Sequence, residues 1–202
     1  MVSQSRRAPK HCSQRHLGLL DLVIVGDSAS RWSHCTLHDL RATAAQRRRG
    51  APRLRTVLPL LDARSESPWQ SVMRILHLAA EIKVEPQKRI YDRYGRFVAR
   101  GDLWLVGTRR IHEYDGGIHR DRLVHRSDLA RDRRLVEIDW QRMGFTSTQI
   151  LHEGASIIAT ADRLLGRPWD PRRLARWEAL LEDSLFRPAG RARARRHWER
   201  AL

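Results

Sequence analysis

Three acidic residues, Asp102, Glu113 and Asp115, lie close enough along the chain to do chemistry together. Between the first two, Gly107 and Thr108 read as a two-residue hairpin loop, with Gly at the first central position of a type II′ turn. That loop sets a register in which Val106 pairs with Arg109, Trp104 with Ile111 and Asp102 with Glu113. Two carboxylates then stand opposite each other with Cβ atoms about 5 Å apart. Asp115 faces the same side while the strand lasts. Like charges crowded on one patch must share a proton or bind a cation, and Mg²⁺ or Mn²⁺ is the hard ion that suits oxygen ligands. In a basic protein such a centre points to phosphodiester hydrolysis, with the metal activating water. The same spacing also describes a surface hairpin whose acids pair with Arg100, Arg109 or Arg110.

The elements that must position these acids are visible in the pattern around them. Ser67, Pro68 and Gln70 form a helix start, with Ser as N-cap, Pro in the first turn and Gln closing a capping box. Trp69, Val72, Met73, Leu76, Ala79 and Ala80 then recur at helical spacing and predict a packed face. After Pro86 the spacing shortens into an antiparallel meander: strands over Gln87 to Tyr91, Phe97 to Val106 and Arg109 to Tyr114. A charged helix from about Arg120 to Glu137 follows. A strand from Trp140 to Phe145, a helix capped by Thr146 or Ser147 and running to Leu165, and a helix from Pro171 to Leu185 complete the pattern. Trp69, Trp140 and Trp177 are expected in the core. Upstream, three short helices are expected near Leu19 to Ala29, after Thr36, and from Arg53 to Leu58. The organisation predicted is a disordered basic leader (1–16), a helical lead-in (17–63), a core with C-terminal helices (64–186) and a frayed arginine-rich tail (187–202).

The chain has 202 residues, a formal charge of +16 and a sequence pI of about 11.4. Its lysines are Lys10, Lys83 and Lys88, so arginine carries nearly all the positive charge. Guanidinium grips phosphate bidentately, and each neutralised phosphate releases counterion, so a polyanionic partner is expected. Arginine-favouring codon usage accounts for Arg over Lys but not for the net excess. No apolar run approaches the roughly 18 residues of a membrane span, and no secretion signal is recognisable, so cytoplasmic residence is expected. Cys12 and Cys35 alone make neither a disulfide framework nor a zinc site.

Arg100-Gly101-Asp102-Leu103, followed by Glu113-Tyr114-Asp115-Gly116 and His119-Arg120, resembles the bacterial domain-of-unknown-function family numbered 559. That family comprises relatives of very-short-patch repair endonucleases in the PD-(D/E)xK superfamily. The resemblance covers about Ser65 to Phe145, and the lead-in resembles the segment joining this core to a winged helix in AbiEi-like antitoxin proteins. It implies an α/β (α+β) restriction-endonuclease-like core, a central mixed sheet with an antiparallel meander flanked by helices, plus helical extensions at both ends. It implies a metal-dependent endonuclease acting on DNA, with Asp102 and Glu113 as Mg²⁺ or Mn²⁺ ligands, to which the spacing adds Asp115, and with His119 handling protons. Arg120, Arg122, Arg126, Arg131 and Arg134 would hold phosphates. Two positions depart from the family: Asp115 stands where the superfamily has lysine, and Gln70 where the family commonly has glutamate. Glutamine coordinates only through a neutral carbonyl. The alternative is therefore a catalytically weak or inactive nucleic-acid-binding regulator of the AbiEi-like kind.

Overall fold

A computed structural model describes residues 16–32, 35–116 and 122–199, the side chains of 122–128 and 198 excepted. The lead-in folds as α1 (Leu19–Arg31), α2 (Leu37–Ala45) and α3 (Ala51–Val57). Thr36 and Asp39 form a reciprocal capping box at the start of α2, and Pro52 stands in the first turn of α3. Next comes α4 (Pro68–Ala79), followed by β1 (Val84–Tyr91), β2 (Phe97–Leu105) and β3 (Arg110–Tyr114). After α5 (Arg122–Val136) and β4 (Gln141–Phe145), the chain ends in α6 (Ser147–His152), α7 (Gly154–Leu164), α8 (Ala175–Glu182) and α9 (Pro188–Trp198). The sheet runs β1-β2-β3-β4, antiparallel through the first three strands, with β4 parallel to β3.

Buried residues surround α4 on more than the expected stripe. Besides Val72, Met73, Leu76 and Ala79 it buries Ser71, Arg74, Ile75 and His77, because it packs between the sheet and α1. Leu103 and Leu105 of β2 join Leu20 and Val23 of α1, Ile158 of α7 and Trp177 of α8 in one apolar cluster. A smaller cluster of Ile90, Ala99, Ile111 and Leu135 seats α5 against the sheet, with Trp140 packed beside it. Trp177 is buried, whereas Trp69 and Trp140 are only partly so. The lead-in and the sheet thus share one core, and a buried ion pair ties them. Asp27 accepts from Arg74 at 2.7 Å and from the Ser71 hydroxyl at 2.6 Å, while its other oxygen receives the Asp62 N–H.

Several sequence expectations need correction. β1 starts at Val84 rather than Gln87 and includes Pro86, which an edge strand tolerates because its outer side needs no donor. The helix expected from Thr146 to Leu165 breaks at Glu153 into α6 and α7, and the one expected from Pro171 opens as a 3-10 turn (Pro171–Leu174) before α8. The segment from 187 is a docked helix instead of a frayed tail. Arg191 donates to the carbonyls of Leu185 and Phe186, Arg193 reaches Asp183, and Ala194 is buried. The leader falls almost wholly outside the described residues.

Candidate functional site

Asp102 and Glu113 are brought together by the β2–β3 hairpin, whose turn differs from expectation. Thr108 donates to Leu105 at 3.1 Å and Gly107 has φ 94, so Gly107 is the second central residue of a Leu105-to-Thr108 turn. Left-handed geometry at that position selects glycine. The register survives: Trp104 pairs with Ile111 and Leu103 with His112, which sets Asp102 across from Glu113. On the other side of Asp102, Pro86 pairs with Leu103 and Lys88 with Gly101, so Gln87 stands opposite it, with φ 55. A non-glycine residue in that region carries strain of about 1–3 kcal/mol, and here it interrupts the ladder beside Asp102.

Gln87 uses this position to donate to Gln70 at 3.2 Å. Gln70 sits in the first turn of α4, where Ser67 accepts its backbone N–H. Its side-chain oxygen accepts the N–H of Glu66 at 2.6 Å, one residue before the N-cap to which a closed capping box would reach. The Gln70 side chain also lies against the Asp102 carboxylate, which accepts the Tyr114 N–H at 3.2 Å. Burial and then the neighbouring Glu113 charge push the Asp102 carboxyl above its ordinary range, against the Tyr114 and Gln70 hydrogen bonds and the Arg131 charge, which favour the anion.

Glu113 is 6% exposed and enclosed by cations. Arg131 of α5 bonds both of its oxygens, and Arg142 of β4 donates to Oε2 at 3.2 Å. Arg142 in turn forks onto Asp132 at 3.0 and 3.1 Å, and Arg131 also donates to the Arg100 carbonyl. This clamp joins α5, β3 and β4 through charge-assisted bonds. Asp115 lies just past the end of β3, its N–H on the Phe145 carbonyl at 2.9 Å and its carboxylate beside Gly144. There a β-carbon on Gly144 would stand 3.0 Å from Asp115 Oδ2.

Among the described residues no group of three His, Cys, Asp or Glu side chains is placed to hold a metal ion. As placed, Glu113 and Gln70 do not fit a divalent cation: both Glu113 oxygens bond guanidinium groups, and the Gln70 carbonyl accepts amide N–H groups. The arginine charges stand where the metal charge was expected. The arginines expected to hold phosphate divide. His119 and Arg120 lie outside the described residues, as do the side chains of Arg122 and Arg126 on α5. Arg131 is spent on Glu113. Arg134 is exposed. Sequence reasoning missed Arg142, whose partners are brought together only by the parallel pairing of β4, and Gln87, whose backbone carries no local signal. A scan against protein-family models and searches of curated proteins and of solved structures find no match for this chain. Among the described residues no helix is long and apolar enough to cross a membrane.

Proposed function

We propose that this chain is an endonuclease-like protein, built on a restriction-endonuclease-like core, that binds nucleic-acid backbones, with DNA as the partner, and that its acid site is catalytically weak or silent. The core assignment rests on element order: a helix, an antiparallel meander, a second helix and a strand parallel to the last strand of the meander. The partner rests on the charge of +16, since phosphate contacts from arginine supply most sequence-independent affinity. The observation that carries the weak-site reading is the clamp of Arg131 and Arg142 on Glu113, together with a neutral Gln70 beside Asp102.

The rival reading, a Mg²⁺- or Mn²⁺-dependent endonuclease, has one specific observation in its favour. Among the described residues Asp102 is bonded by no guanidinium group; its carboxylate holds only the Tyr114 and Gln70 hydrogen bonds, so one acid of the pair is not clamped. Titrating Mg²⁺ or Mn²⁺ into the purified protein with supercoiled plasmid separates the two. Salt-sensitive binding without nicking is the expected result. Nicking that EDTA abolishes and that Asp102→Ala and Glu113→Ala both lose would overturn the weak-site reading in favour of the endonuclease.

A further inference from the structure

The hairpin joining β1 to β2 carries a second surface, away from the acid pair, and its turn is built to hold side chains in fixed directions. The Asp92 carboxylate accepts the N–H groups of Tyr94 at 2.8 Å and Arg96 at 2.9 Å, and the Arg96 guanidinium at 2.7 Å. The Asp92 N–H returns to the Arg96 carbonyl at 3.0 Å, and Gly95 takes φ 76 to reverse the chain.

What this turn presents is aromatic and exposed. Tyr91, Tyr94 and Phe97 are 47%, 67% and 54% exposed, although such rings ordinarily gain most by burial. Tyr91 and Phe97 meet edge to face at 6.0 Å. Arginines accompany the rings: Arg89 stands 5.3 Å from the Phe97 ring centre, and Arg93 stands 4.7 Å from that of Tyr94. Beside the hairpin an open groove of about 1050 Å³ runs to the end of α5, with Arg134 and Trp140 on its far wall. Two of its acids are neutralised, Asp92 by Arg96 and Asp139 by Arg109. Among the described residues Arg89, Arg93 and Arg134 have no carboxylate partner, and Glu137 is the one groove acid left to oppose them.

We propose that this hairpin and groove bind single-stranded nucleic acid, the bases stacking on Tyr91, Tyr94 and Phe97 and the phosphates passing over Arg89, Arg93 and Arg134. Exposed rings beside unneutralised guanidiniums suit a strand whose base faces are free, whereas a duplex hides those faces in its own stack. A second copy of this chain is a poor occupant, because it would set arginines against arginines. The proposal shares its partner class with the nucleic-acid reading above but does not depend on the acid pair.

The test is fluorescence anisotropy of the full chain with a labelled oligothymidylate of about 12 nucleotides, and with a duplex of equal length, across a salt series. Tyr94→Ala is expected to weaken single-strand binding about tenfold, and Tyr91→Ala with Phe97→Ala further, while duplex affinity changes by less than about twofold. Arg93→Ala is expected to flatten the salt dependence. Single-strand binding that is absent or untouched by the aromatic variants would overturn the proposal while leaving duplex binding, and the broader reading, intact; equal losses on both substrates would also overturn it, marking the patch as a general nucleic-acid surface. Self-association in light scattering that the aromatic variants abolish would identify the patch as an interface between copies and also overturn it. The rings are exposed, so circular dichroism should show the variants folded.

Discussion

Replacing Glu113 by Gln keeps the shape of the side chain and one accepting oxygen but removes a charge from the clamp. Two guanidiniums, Arg131 and Arg142, now balance two carboxylates, Glu113 and Asp132. After the change the clamp is one unit positive, and Arg131 loses the carboxylate it bonds and keeps only the nearby Asp102 charge. The side chains of Arg131 and Arg142 are 24% and 18% exposed, so water relieves part of the cost. The loss of stability is therefore expected at about 1–3 kcal/mol, below the 3–5 kcal/mol typical of a fully buried pair.

The functional consequence has the opposite sign. A freed Arg131 can take a phosphate, so duplex affinity rises at low salt and the log–log salt slope steepens by about 0.9 for one added contact. Anisotropy titrations between roughly 50 and 200 mM salt measure both quantities on the folded variant. If Glu113 instead served as a metal ligand, Mg²⁺ would strengthen wild-type binding and Glu113→Gln would forfeit that gain. An unchanged or shallower slope in a folded Glu113→Gln protein would refute the reasoning that the glutamate restrains phosphate-binding arginines.

Two further outcomes test the frame around the site. Arg74→Ala should cost about 3–5 kcal/mol, because it strands Asp27, 1% exposed, with only neutral donors; chemical denaturation should show the lead-in and core losing structure together, and a drop under about 1 kcal/mol would mean the pair does not tie them. Burial holds the His77 imidazole down at about 4, against an ordinary 6.5, so its neutral form stabilises the fold above pH 6.5. That contribution is lost as pH falls towards 4, amounting to about 3 kcal/mol. His77 bonds His112 at 2.9 Å, and a His77→Leu/His112→Leu double variant should show a flatter stability curve over this window; an identical curve would assign the acid lability elsewhere.

Much of this frame was legible because it is local. Ser67 and Pro68 announce the start of α4, Thr36 that of α2, and the pairing of Asp102 with Glu113 follows from counting across a short turn even though Gly107 occupies the other central position. Turn type and strand register were separable here: the glycine moved by one place while the pair sums stayed the same. Arginine-rich sequence past 187 looked solvated because nothing in the pattern shows that Arg191 and Arg193 will donate to carbonyl and carboxylate oxygens near the start of α9 and dock it.

What local pattern could not show is which charge answers which. Spacing placed two acids together and inferred a cation from their repulsion, and that inference was physically sound: a cation is there, supplied by Arg131 and Arg142 from elements that join the sheet only in the folded chain. The electrostatic requirement that marks a metal site is also met by guanidinium, so crowded acids in an arginine-rich chain do not by themselves imply a metal. Glu113 then has two readings that differ in sign, a ligand whose loss weakens function or a restraint whose loss strengthens binding. The direction of the Glu113→Gln effect on the salt slope, rather than its size, separates them.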